Sequence, residues 1–246
     1  MSTTNDWITK VDLTSLDLDK ETKESILQLC DKSIKFNTAS VCVYPTHIPL
    51  IKSHHPKLTV ATVINFPLGN ESKEIVQNTT QSALNNGADE LDLVWDYNAF
   101  NDNRYDDALA PIHWVKETVK SYFTSSSRKI VLKVILESGT LKDVKKASEL
   151  ILSTFDDNAT NGISLYFLKT STGKGFPGAS VSAATAMLEA INDAKKNKFV
   201  GLKVSGGVRT VESAIGYSDL TKKYNVEAFR IGASSLLDEV SSNDSY

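Results

Sequence analysis

The sequence has few of the features that mark secreted, membrane or nucleic-acid-binding proteins. Only two of its 246 residues are cysteines, Cys30 and Cys42, which are too few for a disulfide framework. No apolar stretch approaches the roughly 18 residues of a membrane span, and the first residues lack the basic and apolar regions of a signal peptide. The net charge of −3 gives no support for nucleic-acid binding. We therefore expect a reduced, cytoplasmic protein without a membrane or nucleic-acid partner.

Histidine is also scarce, and its placement does not favour a metal. Of the four histidines, His54 and His55 are adjacent, so their side chains cannot share one face of a helix or strand. Solvated surface positions explain this pair better than metal ligation does. We expect neither a metal nor another cofactor.

What the sequence does contain is a regular alternation of short apolar runs and longer amphipathic segments. Eight such units follow one another, from Val11-Asp12-Leu13 to the run at 228–231. Strands that alternate with helices imply parallel pairing, and eight units in about 250 residues match a closed (β/α)8 barrel, the TIM barrel. An open doubly wound sheet is the alternative, but the glycine-rich loop that it ordinarily carries after an early strand is missing.

No linker-like stretch divides the chain, so we expect one barrel domain over residues 1–246 with a loose polar tail from about residue 241. Helical spacing predicts the first helix over 19–35, with Asp19 as its candidate cap. Residues 124–127 are expected to form a polar loop. A short final helix is expected from Ser234.

Three lysines lie within or at the ends of apolar runs that we interpret as buried strands. They are Lys133, Lys169 and Lys203. An ammonium inside an apolar wall must be paired or lose its proton. A lysine that loses its proton easily is a nucleophile for carbonyl carbons. The pattern therefore indicates Schiff-base chemistry.

Lys169 and Lys203 end neighbouring predicted strands, so their ammonium groups should meet at one rim of the barrel, where repulsion lowers the pKa of at least one of them. Asp92, between two leucines in the fourth strand, is the natural acid-base partner. The alternatives are structural: a rim lysine paired with a carboxylate, and Asp92 in an ion pair. Lys133 is either a further charge in the site or a buried partner of Glu137.

The loops after strands seven and eight suit an anion, and they are the usual phosphate site of this fold. Gly206 and Gly207 allow a phosphate to approach the backbone closely. Gly232, Ser234 and Ser235 combine a glycine and two hydroxyls with the start of a predicted helix. Other candidates near the site are Lys174, Thr172 and Thr14. Cys42 is either an ordinary core residue or a pocket thiol exposed to aldehydes.

The residues quoted so far belong to longer segments that resemble deoxyribose-phosphate aldolase, a class I aldolase. The resemblance runs over nearly the whole chain, from Asp12-Leu13-Thr14 to Leu236. The matching segments are Val41–Pro45, Val63–Gly69, Gly87–Asp92, Leu132–Gly139, Leu168–Gly173, Gly201–Arg209 and Arg230–Ser235.

The resemblance implies reversible, metal-free cleavage of 2-deoxy-D-ribose 5-phosphate to D-glyceraldehyde 3-phosphate and acetaldehyde. Lys169 resembles the family's Schiff-base lysine, Lys203 the lysine that perturbs it, and Asp92 the acid-base aspartate. The glycines and serines after strands seven and eight fall on the family's phosphate site.

The chain departs from the family's common pattern at Trp95-Asp96-Tyr97 and at Gly175–Gly178, which both border the expected pocket. Some relatives end in a tyrosine that reaches into the site, so Tyr246 is a hypothetical site residue. Two other functions stay open: a class I aldolase for another sugar phosphate, and a sugar-phosphate-binding barrel without catalysis. A homodimer is the assembly that we consider.

Overall fold

The computed structural model describes residues 6–156 and 161–238, and a closed barrel of parallel strands lies at its centre. The strands are β1 Val11–Thr14, β2 Ser40–Val43, β3 Val60–Ile64, β4 Glu90–Val94, β5 Ile130–Ile135, β6 Ile163–Lys169, β7 Val200–Ser205 and β8 Phe229–Ala233. They pair in sequence order, and β8 closes on β1. The predicted (β/α)8 barrel is confirmed, and the open-sheet alternative is wrong.

Helices follow the strands and surround the barrel. They are α1 Lys23–Phe36, α2 Ile48–His54, α3 Lys73–Asn85, α4 Tyr97–Asn101, α5 Tyr105–Ser126, α6 Val144–Ser153, α7 Val181–Asp193 and α8 Val211–Lys223. Because side chains alternate along a strand, residues such as Leu91 and Leu93 point outward to the helices. The intervening polar residues, such as Asp92, point inward. The main apolar core therefore lies between barrel and helices, and the barrel interior combines charged groups with a smaller set of apolar side chains.

Two local expectations were wrong. The first helix is capped by Thr22 and not by Asp19: Thr22 accepts from the backbone N–H of Ser25 at 3.1 Å, and the Ser25 hydroxyl accepts from Thr22. The segment 124–127 is mostly helical, since α5 continues to Ser126 and ends at Ser127 in the left-handed conformation. The hydroxyl of Ser126 donates to the carbonyl of Tyr122 at 2.8 Å, so this polar residue is satisfied within a helix.

The end of the chain was predicted in part. Helical residues begin at Leu236, two positions after Ser234, and continue to Asp238, where the described residues stop. The predicted tail from about residue 241 lies outside the described residues. Within the ranges described, no helix is long and apolar enough to cross a membrane.

One interior glycine makes room for an aromatic ring. Gly201 on β7 lies opposite Phe167 on β6. A Cβ at Gly201 would lie 2.5 Å from a Phe167 ring carbon and 2.7 Å from the carbonyl oxygen of Ala228. Because a backbone atom forms one side of this contact, rotation of the Phe167 ring alone cannot relieve it. The missing side chain lets Phe167 fill the barrel below Lys169.

We predict that Gly201→Ala destabilises the protein by about 1–3 kcal/mol through overpacking. The matched control is Gly216→Ala on α8, where a Cβ meets no other atom within 4 Å. There alanine should stabilise the helix by about 0.5–1 kcal/mol. Urea unfolding followed by circular dichroism measures both values. Equal stabilities for Gly201→Ala and the unsubstituted protein would contradict this account of the packing.

Candidate active site

The three lysines predicted from the apolar runs project into the barrel from neighbouring strands. Lys133 on β5 and Lys203 on β7 are fully buried, and Lys169 on β6 is 3% exposed. Lys169 and Lys203 are direct partners in the strand register. The structure therefore brings the side chains of Lys169 and Lys203 together, as expected for lysines on neighbouring strands.

Asp92 lies among these ammonium groups. Its Oδ2 is 2.7 Å from the Nζ of Lys169 and 2.8 Å from the Nζ of Lys203. Its Oδ1 is 3.1 Å from the Nζ of Lys133. The predicted neighbourhood of Asp92, Lys169 and Lys203 is present, and Lys169 has no other carboxylate within ion-pair distance among the described residues.

A second carboxylate, Asp12 on β1, completes the cluster. Its Oδ2 is 2.6 Å from the Nζ of Lys203 and 2.7 Å from that of Lys133. Its Oδ1 accepts from the Nε of Arg230 on β8 at 3.2 Å. Arg230 also donates to Oε1 of Glu90 at 3.2 Å, and the other oxygen of Glu90 is 2.5 Å from Lys133.

The expected alternatives for Lys133 are now resolved geometrically. Lys133 does not pair with Glu137, because its ammonium is held by Asp12, Glu90 and Asp92 below the rim. Glu137 follows the end of β5 and turns away in the left-handed conformation, with a φ of 54°. Lys133 is therefore part of the central charge cluster.

The surroundings of the lysines shift their pKa values in opposite directions. Burial lowers the pKa of Lys169; Asp92 opposes this, and repulsion from Lys203 adds to it, so the pKa stays below its usual value. Burial also disfavours charged Lys203, but Asp12 and Asp92 together outweigh it and raise the pKa of Lys203. For Lys133 the carboxylates outweigh burial by more, and its pKa is well above the usual value. Lys169 is thus the lysine that loses its proton most easily.

The two aspartates remain ionised for the converse reason. Burial would raise the pKa of Asp92, but Lys133, Lys169 and Lys203 hold it well below its usual value. Lys133, Lys203 and Arg230 likewise outweigh the burial of Asp12 and lower its pKa. The cluster therefore combines ionised carboxylates with one ammonium that is easily deprotonated.

Cys42 on β2 faces this cluster. Its Sγ lies 3.9 Å from Oδ2 of Asp92, and the side chain is fully buried. Burial, with the charge of Asp92, raises the pKa of the thiol, which favours the less reactive protonated form. Cys42 is thus an interior neighbour of Asp92 beneath the cavity wall.

Above Lys169, Glu137 orders the loop that follows β6. Its Oε2 accepts from the backbone N–H of Thr172 at 3.1 Å and from the Thr172 hydroxyl. The same hydroxyl oxygen accepts from the backbone N–H of Lys174 at 3.1 Å. Burial raises the pKa of Glu137, while the bonds from Thr172 oppose that shift. This chain of hydrogen bonds fixes the loop over Lys169.

A cavity of about 400 Å³ opens at the carboxyl ends of the strands, with Lys169 in its wall. Its lining contains every residue predicted for the phosphate and the substrate, together with several that were not predicted. The predicted residues are Thr14, Thr172, Lys174, Gly206, Gly207, Gly232, Ser234 and Ser235. Asp92, Lys203 and Lys133 do not line the cavity and lie beneath it.

Two loops touch through their backbones at the edge of the cavity. A Cβ at Gly178, after β6, would lie 1.8 Å from the carbonyl oxygen of Gly206, after β7. The N–H of Ala179 donates to that oxygen at 2.9 Å and approaches the carbonyl of Ser205 at 3.0 Å. Gly206 adopts a φ of 81°, which favours glycine. The stretch Gly175–Gly178, which was expected to depart from the family pattern, therefore supports the glycine loop.

The other departure, Trp95-Asp96-Tyr97, forms the turn into α4, an element that was not predicted. The indole of Trp95 donates to the carbonyl of Leu136 at 3.0 Å, and Asp96 caps α4 through the N–H of Ala99 at 2.8 Å. Tyr97 meets Phe176 edge to face, with ring centroids 6.3 Å apart. These contacts connect the loops after β4, β5 and β6.

Sequence reasoning did not assign roles to Asp12, Glu90, Arg230 and Arg209. The first three alternate with apolar residues in strands, the same signal that identified Asp92, and a search for every charged residue in a strand would have found them. Arg209 lines the cavity just after the glycine loop.

Two further expectations concern the tail and metals. Tyr246 lies outside the described residues. Of the adjacent histidines, His54 is exposed and His55 is half-buried, with its Nε2 3.7 Å from Asp31. In the described part of the chain, no group of three histidine, cysteine, aspartate or glutamate side chains is arranged to hold a metal.

Comparisons with known proteins agree with this geometry. A model of the DeoC/LacD aldolase family matches residues 7–241. A candidate deoxyribose-phosphate aldolase from Coccidioides immitis is 27% identical, with a TM-score of 0.79 over 99% of this chain and 87% of that one. The aldolase QR15 is 28% identical, with a TM-score of 0.73 over 97% of each chain.

A third structure, the tetrameric deoxyribose phosphate aldolase from Aeropyrum pernix, is 23% identical, with a TM-score of 0.73 over 100% of this chain and 94% of that one. This more distant likeness shows the fold. The family match confirms the expected resemblance and the class I aldolase function. The chain belongs to the DeoC/LacD family of aldolases.

Proposed function

We propose that this aldolase cleaves 2-deoxy-D-ribose 5-phosphate reversibly to D-glyceraldehyde 3-phosphate and acetaldehyde, with Lys169 as the Schiff-base lysine. The observation that carries the proposal is the position of Lys169. Its ammonium is held by a single shared carboxylate, its pKa is lowered, and its side chain borders a cavity with an anion-binding rim. The Coccidioides immitis relative, named as a candidate deoxyribose-phosphate aldolase, supports the choice of substrate.

The cavity wall contains the two kinds of group that this substrate requires. Lys169 supplies the amine with which an aldehyde carbon would react. Gly206, Gly207 and Gly232 line the same cavity, and Lys174 and Arg209 add positive charge to its wall. Exposed backbone N–H groups and flanking cations are the usual means of binding a phosphate. In the proposed arrangement, an open-chain sugar phosphate would reach from Lys169 to these glycines.

The chemistry follows from the electron sink that a lysine imine provides. The neutral amine of Lys169 adds to the C1 aldehyde, and loss of water gives an iminium. The C3 hydroxyl then loses its proton through water to the pair of Asp92 and Lys203. The C2–C3 bond breaks, its electrons form an enamine on the Lys169 nitrogen, and glyceraldehyde 3-phosphate leaves. Protonation of the enamine at C2 and hydrolysis of the iminium release acetaldehyde and restore Lys169.

Other class I aldolase substrates and binding without catalysis are the alternatives. Competitive turnover of candidate sugar phosphates distinguishes the first alternative from the proposed function. The second would be supported if a sugar phosphate stabilised the protein but was not turned over. The single domain, the cytoplasmic location and the homodimer stay predictions, and the Aeropyrum pernix relative is described as a tetramer.

We predict that acetaldehyde with borohydride produces a stable ethyl adduct on Lys169, because reduction traps the iminium. Peptide mass mapping locates the adduct. Lys169→Arg should abolish it, since the guanidinium stays protonated. Lys57→Arg, an exposed position before β3 at the opposite end of the barrel, is the control and should leave it unchanged. An adduct elsewhere in the unsubstituted enzyme would refute the assignment.

We predict that Asp92→Asn separates imine formation from carbon–carbon cleavage. Without the carboxylate that raises its pKa, Lys169 is more often neutral, so trapping with acetaldehyde should continue. Turnover should fall about 10²- to 10⁴-fold, the usual contribution of a positioned acid-base group. Single-turnover trapping and steady-state cleavage of 2-deoxyribose 5-phosphate provide the two measurements. Turnover within threefold of the unsubstituted rate would exclude a proton-transfer role for Asp92.

We predict that Lys174→Gln raises KM for 2-deoxyribose 5-phosphate about tenfold, equivalent to about 1.4 kcal/mol, through loss of a charged contact to phosphate. The kcat should change little, because Lys174 is remote from the reacting carbon in the proposed arrangement. The unphosphorylated sugar should react equally with both enzymes. An equal loss for the two sugars would show that Lys174 does not bind the phosphate.

A further inference from the structure

A layer of charge beneath Lys169 takes no part in the proposed reaction steps. It consists of Glu90 and Arg230, which project inward from β4 and β8 and do not line the cavity. Arg230 lies 5.6 Å from the ring centroid of Phe167, two residues before Lys169 on the same strand. Charges are costly to bury, and this pair lies where an apolar filling would suffice.

Arg230 and Glu90 determine how the carboxylates above them, Asp12 and Asp92, are shared among the lysines. Arg230 occupies Oδ1 of Asp12, and Lys133 and Lys203 share its Oδ2. Glu90 holds Arg230 with one oxygen and Lys133 with the other. Asp12 is thus surrounded by three cations.

The formal charges of the cluster do not balance when every group is ionised. Among the described residues that these ion pairs connect, three carboxylates (Asp12, Glu90 and Asp92) face four cations (Lys133, Lys169, Lys203 and Arg230), and Glu137 lies outside the pairs. Loss of one proton restores neutrality. Lys169 is the cation that reaches the cavity and has one carboxylate partner, so it is the group from which the proton leaves.

We propose that Arg230 and Glu90 are positioning residues that set, from outside the cavity and in opposite directions, how readily Lys169 releases its proton. Arg230 competes with Lys133 and Lys203 for the negative charge of Asp12. These two lysines therefore depend more on Asp92, and less of the Asp92 charge is left for Lys169. Glu90 neutralises part of the charge of Lys133, so Lys133 depends less on Asp92 and more of the Asp92 charge is left for Lys169. The proposal rests on the proposed role of Lys169 as the Schiff-base lysine.

The other groups around Lys169 fix the background against which this pair acts. They are Asp12 from β1, Cys42 from β2, Asp92 from β4, Lys133 from β5, Glu137 after β5 and Lys203 from β7. The strand β3 contributes no ionisable side chain. All of these are retained in the variants below, so a change is attributable to the lower pair.

The experiment measures the rate of Lys169 trapping by acetaldehyde and cyanoborohydride between pH 5 and 9. Mass mapping of the Lys169 peptide gives the fraction reacted. The variants are Arg230→Gln, Glu90→Gln, the double variant, and Arg230→Lys, which keeps the charge. Arg104→Gln is the charge-matched control, since Arg104 is exposed at the start of α5. Circular dichroism establishes that each variant is folded.

We expect the apparent pKa for trapping to rise by about one unit in Arg230→Gln and to fall by about one unit in Glu90→Gln, the effect of one charge roughly 10 Å away at an effective dielectric constant of about 20. A higher pKa means less neutral amine, so Arg230→Gln should react about tenfold more slowly at pH values below it. The double variant and Arg230→Lys should return close to the unsubstituted value. The Arg104→Gln profile should not move.

Shifts in the same direction, or unchanged profiles in the two single variants, would overturn the inference. If Arg230→Gln does not fold, Glu90→Gln and the double variant decide, because the first must lower the apparent pKa and the second must restore it. Failure of the unsubstituted enzyme to form any Lys169 adduct would instead refute the proposed function. The two failures are therefore distinguishable.

Discussion

The buried ammonium groups of this barrel share too few carboxylate oxygens, and the site depends on that shortage. Asp92 forms ion pairs with three lysines, and Asp12 forms ion pairs with two lysines and an arginine. A fully paired lysine stays protonated and cannot attack a carbonyl, whereas an unpaired one would be too costly to bury in its charged form. Lys169, with one shared partner, lies between these limits. In the proposed mechanism, the reactivity of Lys169 thus results from incomplete pairing.

The parallel barrel makes this arrangement possible with little dedicated structure. Adjacent strands put Asp92 beside Lys133 and Lys169 beside Lys203 in the register, so charges far apart in sequence become neighbours. The apolar residues between them face the helices and provide the stability that the charged interior does not. The loops then add recognition without disturbing the cluster. Chemistry and binding therefore rest on different parts of the same eight units.

The fold class and the lysines of the site could be predicted from the sequence. The alternation of apolar runs with amphipathic segments predicted the fold class, and the presence of lysine in such runs, where it is unusual, identified Lys133, Lys169 and Lys203. The partner of Lys133 could not be predicted, because the left-handed turn at Glu137 removes the nearest carboxylate in sequence and the true partners come from β1 and β4. The cap of α1 was missed because Thr22 and Ser25 satisfy each other at close range, which makes Asp19 unnecessary.

The contact between Gly178 and Gly206 has a consequence for substrate length. The loops after β6 and β7 meet backbone to backbone, so main-chain contact fixes their relative position. The first loop follows Lys169, and the second carries the glycines that are proposed to bind the phosphate. In the proposed function, the distance between the reacting carbon and the bound phosphate is therefore set by main-chain contact between these loops, and the enzyme selects its substrate by the length of the carbon chain.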